Sequence, residues 1–333
     1  MKHGVLLINL GTPDAPSIPA VRRYLREFLT DPRVLVMPKI LRTVLVYGLI
    51  LPFRTRRTTH AYQSIWTTDD SPLRYHSLRL TQALQRRLND THQVVLGMRY
   101  GYPSIQDALN ALRPCTHITI LPLYPQYSSS ATGTAIQSAL SLLAQQTIIP
   151  SIRVIRDFYQ HPAFIQANVN NLRPWVHEES HVLFSYHGLP TPHLEGITCS
   201  TLCQHHCPAP PQADPQAACY RAQCFASSHA IAHALGLPQE RYTTSFQSRL
   251  GRVEWIKPYT DEVLQELAQR GVQHLVIHCP SFIADCLETL EEIGMRAQEQ
   301  WQQLGGQSFQ LVPCLNDHPA WIEAMVQLIE STT

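Results

Sequence analysis

The chain alternates short apolar runs with longer amphipathic stretches over most of its length. Apolar runs of five or six residues are typical of strands that are buried on both faces of a sheet. Amphipathic stretches such as 105–112 and 135–143 lie between them, and Thr260 has the position of an N-cap for a helix over 260–267. The pattern predicts strands at 5–10, 94–98, 118–123, 182–186 and 275–279.

Strands that alternate with helices predict parallel sheets with helices on both faces. The alternation restarts in the second half of the chain, which indicates two similar α/β lobes, and a chain of 333 residues is long enough for two substantial cores. We expect one lobe over 1–160 and the other over 161–333. Two segments, 35–72 and 190–224, interrupt the alternation and exceed ordinary loop length, so we expect them to be functional.

Composition and charge narrow the class of function. Hydrophobic residues make up 44% of the chain and charged residues 15%, which is typical of a globular enzyme. The formal net charge of +1 creates no field that would recruit nucleic acid, so we expect no such partner. The N-terminal apolar stretch is too short for a signal peptide, and no run reaches the roughly 18 residues of a spanning helix, so we expect a cytoplasmic protein.

The first long segment contains an apolar run at 44–53 that is too short to span a bilayer. One interpretation is a buried core helix. The other is an exposed apolar lip over 35–57 that contacts a membrane or an apolar substrate, since basic flanks favour anionic surfaces. The basic flanking residues are Lys39, Arg42, Arg54, Arg56 and Arg57.

A histidine directly follows the predicted strand at 182–186. His187 would lie at the carboxyl end of the strand, where open α/β sheets bind ligands. Gly188 and Pro190 force a turn there, so the imidazole would face a crevice. A lone histidine is more often structural, and the strand-end position makes the two interpretations about equal.

Three acidic residues follow the predicted strand at 275–279. Asp285, Glu288 and Glu292 have the spacing i, i+3 and i+7, which would place them on one face of a helix. Interaction with the helix dipole explains Asp285 but not Glu292, which lies two turns further on. A row of carboxylates that serves a cation is the alternative, and Glu288 with His187 would supply an acid and a base near one cleft.

Five of the nine cysteines fall within 26 positions, in the second long segment. A disulfide framework is not expected in the cytosol. Zinc is a competing interpretation because His205 and His206 add ligands, and chance clustering is another. The five cysteines are Cys199, Cys203, Cys207, Cys219 and Cys224.

Taken together, these segments resemble the ferrochelatases over essentially the whole chain. A single motif of this kind would be unspecific, but here many occur in the family's order. The matching segments are 8–13 (INLGTP), 24–29 (YLREFL), 62–73, 98–100 (MRY), 121–127 (LPLYPQY), 185–190 (SYHGLP), 246–249 (FQSR), Trp255 and 285–292.

The resemblance implies two Rossmann-like lobes with an active cleft between them, and a lyase that inserts ferrous iron into protoporphyrin IX to form haem. It matches His187 to the active-site histidine and Glu288 to its partner carboxylate, where the Fe(II) substrate would bind. It matches Asp285 and Glu292 to an acidic path for protons or metal. The residues that it matches to the porphyrin pocket are Tyr62, Ser71, Arg99 and Tyr124.

The two long segments also have counterparts in the family. The segment 35–57 corresponds to an apolar lip, which implies peripheral contact with the inner membrane surface. The insertion at 195–226 is similar to that of bacterial ferrochelatases with a [2Fe–2S] cluster. Such a cluster takes four thiolates, so one cysteine is spare, and zinc remains the alternative cofactor. The favoured ligands are Cys203, Cys207, Cys219 and Cys224.

Two other functions stay open at this point. One is a chelatase for another substrate, such as coproporphyrin, or for another metal, such as cobalt. The other is a non-catalytic haem or iron–sulfur sensor on the same fold, which the presence of both His187 and Glu288 disfavours. The oligomeric state is open as well.

Overall fold

The computed structural model describes residues 2–194, 219–249, 251 and 253–331. Within them the chain forms two compact units, each with its own sheet. As far as they are described, the first unit comprises Met1–Tyr124, Ser128–Asp157 and Leu328–Thr333, and the second comprises Pro125–Tyr127 and Phe158–Gln327. The end of the chain therefore belongs to the first unit, whereas the sequence assigned it to the second lobe.

The first unit is built on a four-stranded parallel sheet with the order β2-β1-β3-β4. Its strands are β1 (His3–Gly11), β2 (His92–Tyr100), β3 (His117–Pro122) and β4 (Ser151–Val154). Its helices are α1 (Ile18–Leu29), α2 (Lys39–Val44), α3 (Leu51–Ile65), α4 (Pro72–Leu88), α5 (Ile105–Ala111) and α6 (Thr134–Leu143), with π-helical segments at Leu45–Ile50 and Ser129–Gly133.

Helices cover both faces of this sheet. Leu6 and Ile8 of β1 are fully buried and belong to one cluster with apolar residues of α5 and α6. Successive side chains of a strand point to opposite faces, so Asn9 points the other way. There its amide donates a hydrogen bond to the hydroxyl of Ser77 in α4 at 3.0 Å. The burial of β1 on both faces explains its continuous apolar sequence.

The second unit repeats this topology with the order β6-β5-β7-β8, again parallel throughout. The prediction of two similar α/β lobes is confirmed. The strands are β5 (Ser180–His187), β6 (Tyr242–Gln247), β7 (His274–His278) and β8 (Ser308–Leu311). The helices are α7 (Pro162–Leu172), α8 (Tyr220–Leu235), α9 (Thr260–Gln269), α10 (Gln298–Gln303) and α11 (Pro319–Glu330), with a π-helix at Glu288–Ala297.

The five predicted strands are present, but β4, β6 and β8 were not predicted. All three are edge strands, and none has a continuous apolar sequence. The prediction of Thr260 as a helix cap is also wrong, because Tyr259 holds that position. The Thr260 hydroxyl instead contacts the hydroxyls of Ser245 at 2.9 Å and Ser185 at 3.1 Å.

Candidate active site

His187 is the last residue of β5, and its imidazole is half-buried. The ring nitrogen Nδ1 lies 2.6 Å from the carbonyl oxygen of Gly188. A carbonyl oxygen only accepts, so Nδ1 carries the hydrogen and the lone pair lies on Nε2. The rings of Trp255 and Phe282 lie 6.3 Å from the imidazole, centroid to centroid. His187 therefore presents a basic nitrogen beside two aromatic side chains.

The turn after His187 requires a glycine. A Cβ atom at Gly188 would lie 2.8 Å from the carbonyl oxygen of Gln247 and 3.2 Å from the Trp255 ring. The backbone N–H of Gly188 donates to that same carbonyl oxygen at 2.9 Å. The strand end is thus packed tightly against β6.

Gln247 connects the His187 strand to the acidic helix. It is the register partner of His187 on β6 and is buried. Its side-chain nitrogen donates to the backbone oxygen of Glu288 at 2.7 Å and to the Glu292 carboxylate at 3.4 Å. Its side-chain oxygen accepts a hydrogen bond from Ser185 at 2.7 Å. The Gln247 side chain therefore connects β5, the strand of His187, to both glutamates at one edge of the second unit.

Glu292 lies between the buried end of β6 and an exposed arginine. Its carboxylate accepts a hydrogen bond from the Ser248 hydroxyl and forms an ion pair with Arg296 at 3.2 Å. Ser248 has φ +69°, a left-handed conformation that a non-glycine residue rarely adopts. Strained backbone of this kind is concentrated at functional sites.

Asp285 does not belong to the helix that contains the two glutamates. The predicted face with spacing i, i+3 and i+7 is wrong for this residue, because the π-helix begins at Glu288. The Asp285 carboxylate accepts hydrogen bonds from the backbone N–H of Cys314 at 3.1 Å and from the Asn316 amide at 2.7 Å. These bonds hold it at the entry to the helix, and its place on an acidic path stays a prediction.

Cys286 was not predicted at the site, although it lies beside Glu288. Burial raises the pKa of the Cys286 thiol well above its usual range, and the Glu288 carboxylate raises it further. The thiol is therefore protonated and serves as a hydrogen-bond partner of Glu288. Only the position of Cys286 within the acidic run pointed to it in the sequence.

Arg99 belongs to a separate charged cluster in the first unit. Its guanidinium donates to the Asp31 carboxylate at 2.6 Å and to the Thr134 hydroxyl at 2.8 Å. Tyr100 and Thr134 donate to the same Asp31 oxygen at 2.9 and 2.6 Å. Burial acts to raise the pKa of Asp31, but hydrogen bonds from Thr134, the Arg33 backbone and Tyr100 outweigh it, so the pKa is lowered. Arg99 is thus held in place by a buried anion.

A family model described as Ferrochelatase matches residues 2–333. The chain belongs to the ferrochelatase family. A ferrochelatase of Legionella pneumophila (strain Lens) is 56% identical over 329 residues, 99% of both chains. One of Coxiella burnetii (strain Dugway 5J108-111) is 46% identical over 341 residues, covering 99% of this chain and 94% of that protein.

Solved structures support the fold at low sequence identity. SirB from Bacillus subtilis with Fe3+ superposes with a TM-score of 0.56 and 12% identity, covering 99% of this chain and 94% of that one. The predictions of a chelatase-type fold and of a ferrochelatase that acts in haem and porphyrin biosynthesis are confirmed. Membership in the family makes the chain an enzyme that inserts metal into a porphyrin, with ferrous iron as a substrate.

Three other residues of the first unit are matched to the ferrochelatase porphyrin pocket, namely Tyr62, Ser71 and Tyr124. Tyr62 is buried against the ring of Tyr24, and Ser71 caps α4 by accepting a hydrogen bond from the Arg74 N–H at 3.4 Å. The Tyr124 hydroxyl is buried and has no hydrogen-bond partner among the described residues. An unpaired buried hydroxyl costs free energy, so Tyr124 fits a group that accepts or donates a hydrogen bond there.

The segment matched to the ferrochelatase lip exposes large apolar side chains. Ile40 is 78% exposed and Phe53 is 75% exposed, so the interpretation as a buried core helix is wrong for these side chains. The other exposed members are Val36, Leu41, Val44, Tyr47 and Leu49. Among the described helices, none combines the length and apolar character needed to cross a bilayer.

Most of the cysteine-rich insertion lies outside the described residues, including Cys199, Cys203 and Cys207. Cys219 immediately precedes α8, and Cys224 lies more than one turn into that helix with its thiol buried. Within the described part of the chain, no three histidine, cysteine or acidic side chains are arranged to hold a metal ion. The [2Fe–2S] cluster therefore stays a prediction.

Proposed function

We propose that this ferrochelatase inserts Fe(II) into protoporphyrin IX, with His187 and Glu288 at the insertion site. The observation that supports this assignment best is the Gln247 side chain, which joins the strand of His187 to Glu288 and Glu292. A base and two carboxylates at one sheet edge suit a reaction that moves protons and a divalent cation.

The reaction must remove two pyrrole protons and strip water from the ferrous ion. His187 would accept a pyrrole proton on Nε2, the nitrogen that its bond to Gly188 leaves with a lone pair. Imidazole is also a suitable ligand for ferrous iron during transfer. Glu292 would pass protons outward, since its carboxylate pairs with the exposed Arg296. The hydrogen bonds of Asp285 favour a role in holding the start of the helix.

Arg99, Tyr62, Ser71 and Tyr124 would line the porphyrin pocket. Arg99 suits a porphyrin carboxylate, because Asp31 fixes the guanidinium while leaving its side chain 22% exposed. Protoporphyrin is favoured over coproporphyrin because the exposed apolar lip suits the less soluble substrate. The proposed insertion reaction would make the enzyme a lyase.

The enzyme would be cytoplasmic, and the apolar lip would attach it peripherally to the inner membrane surface. In sedimentation with anionic phosphatidylglycerol vesicles, Ile40→Glu and Phe53→Glu should each reduce binding. Ile148→Glu is the matched control, because Ile148 is 83% exposed but lies outside the lip. Equal binding by all three variants would contradict the lip assignment.

The cysteine-rich insertion would hold a [2Fe–2S] cluster on Cys203, Cys207, Cys219 and Cys224. The side chains of Cys219 and Cys224 are of the type that ligates a cluster as thiolates. Burial raises the pKa of the Cys224 thiol, so this thiol carries a proton that it must lose when a cluster binds. Visible absorbance of the purified protein that disappears in Cys219→Ser would support a cluster. A colourless protein that contains zinc would contradict it.

The experiment that tests the function is an anaerobic assay with ferrous iron and protoporphyrin IX, read by haem absorbance. We expect His187→Ala to lower kcat by at least about 100-fold, because a positioned proton acceptor contributes about that factor. Glu288→Gln should also lower kcat, whereas His233→Ala, an exposed histidine of α8, should leave it unchanged.

Each other outcome identifies a different function. If the enzyme turns over coproporphyrin in place of protoporphyrin, or inserts cobalt in place of iron, the proposed substrate or metal is wrong. Folded protein that binds porphyrin without turnover would indicate the sensor. Full activity of His187→Ala would refute the catalytic assignment.

A further inference from the structure

In the part of the chain that the structure describes, the backbone of His187 has no strand neighbour on the β7 side. On the other side, the N–H of Gly188 bonds to Gln247 of β6. Backbone groups alternate in direction along a strand, so those of His187 point toward β7. The last pairing of β5 with β7 joins Phe184 to His278, three residues before His187.

Two side chains take the place of the missing strand. The N–H of His187 donates to the Ser281 hydroxyl at 3.4 Å, and its carbonyl accepts from the Tyr220 hydroxyl at 2.9 Å. Tyr220 is 6% exposed and also hydrogen-bonds to the side chains of Ser281 and Cys224. The backbone groups of His187 are therefore satisfied by side chains from two different segments, which fix its main chain.

The position of that main chain sets the direction of the imidazole. Nδ1 is bonded to the carbonyl of Gly188, the residue that follows the 187–188 peptide, so the orientation of the ring follows the main chain at 187 and 188. A shift of the peptide would turn Nε2 away from its proton donor. Small errors of position at a reacting group are costly in rate, of the order of 100-fold for about 1 Å.

We infer that Tyr220 is a positioning residue for iron insertion: its hydroxyl, with Ser281, fixes the main chain of His187 and so aims Nε2. This inference rests on the proposed catalytic role of His187. Tyr220 directly follows Cys219, so the same hydrogen bond links the end of the cysteine-rich insertion to His187.

Tyr220→Phe tests the inference because it removes one hydroxyl and keeps the ring. Tyr242→Phe is the matched control: its hydroxyl donates to Gln239 at 2.7 Å, at the start of β6. We expect Tyr220→Phe to lower kcat about tenfold or more with KM for porphyrin within about twofold, as misplacement of a reacting group predicts. Tyr242→Phe should keep wild-type kcat. A change in KM alone would overturn the inference.

The second readout does not depend on turnover. In protein labelled with 15N at histidine, the His187 imidazole resonances, assigned by their loss in His187→Gln, should shift in Tyr220→Phe and not in Tyr242→Phe. Resonances that overlay those of the wild type would overturn the inference even if the wild type makes no haem, in which case the proposed function fails separately. If Tyr220→Phe does not fold, Ser281→Ala decides by the same two outcomes.

Discussion

The buried carboxylate of Asp31 offers a sharp test of the energetics of the first unit. Its side chain is 3% exposed and accepts hydrogen bonds from Arg99, Tyr100, Thr134 and the backbone of Arg33. Asp31→Asn keeps the shape but removes the charge and turns one acceptor oxygen into a donor. One or more of the surrounding donors must then lose its partner.

The size of the effect follows from burial. Removing one partner of a buried ion pair costs about 3–5 kcal/mol, because the other charge is left uncompensated. Arg99 keeps 22% of its side chain exposed, so water solvates part of that charge and we expect a loss of about 2–3 kcal/mol. Asp14→Asn is the matched control. Asp14 pairs with Arg23 at 2.7 Å, but both side chains are about half exposed, so the loss should be about 0–1 kcal/mol.

The assay is urea unfolding combined with hydrogen exchange of peptides from β1, β2 and β3. The exchange measurement is needed because two units need not unfold in a single transition. In Asp31→Asn, the free energy of opening from the exchange of these peptides should fall by the same amount as the free energy of unfolding from the urea midpoint. Equal losses for Asp31→Asn and Asp14→Asn would refute the account of Asp31 as a buried counter-ion.

Two further predictions concern stability in the second unit. Burial lowers the pKa of His278 from 6.5 to about 4, so between these pH values the unfolded chain binds a proton that the folded chain does not. Stability should therefore fall by up to about 3 kcal/mol from pH 6.5 to 4, and His278→Gln should flatten this slope in urea titrations. Gly306→Ala would place a Cβ 2.1 Å from the Trp301 ring and should cost about 1–3 kcal/mol in thermal unfolding. Gly48→Ala, in a helical segment with no atom within 4 Å, should cost nothing and should add up to about 1 kcal/mol of stability.

The central strands could be predicted from the sequence because burial on both faces leaves a continuous apolar run. Val5–Ile8 of β1 are all fully buried. The edge strand β6 has the polar sequence YTTSFQ, in which Thr244 and Ser245 are buried. The hydroxyl of Ser245 is hydrogen-bonded to that of Thr260. Buried polar residues that form hydrogen bonds can occupy an edge strand, and the sequence of such a strand has no periodic apolar pattern.

The site could be predicted only where a local pattern specifies it. Gly188 and Pro190 fix the turn after His187, so its position at a strand end follows from neighbouring residues. Asp31 is 68 residues from Arg99, and no local pattern joins them. Their pairing depends on where α1 delivers the chain next to β2, which only the packed unit determines.

The acidic run shows why residue spacing alone misplaces side chains. The expected face assumed about 3.6 residues per turn. Glu291 bonds to Arg296 at 2.8 Å, a separation of five residues that lies roughly 140° apart on an α-helix but on one face of a π-helix. Arg296 also reaches Glu292 at 3.2 Å, a separation of four residues that an α-helix allows as well. Arg296 therefore forms ion pairs with both carboxylates, and its positive charge reduces the repulsion between them.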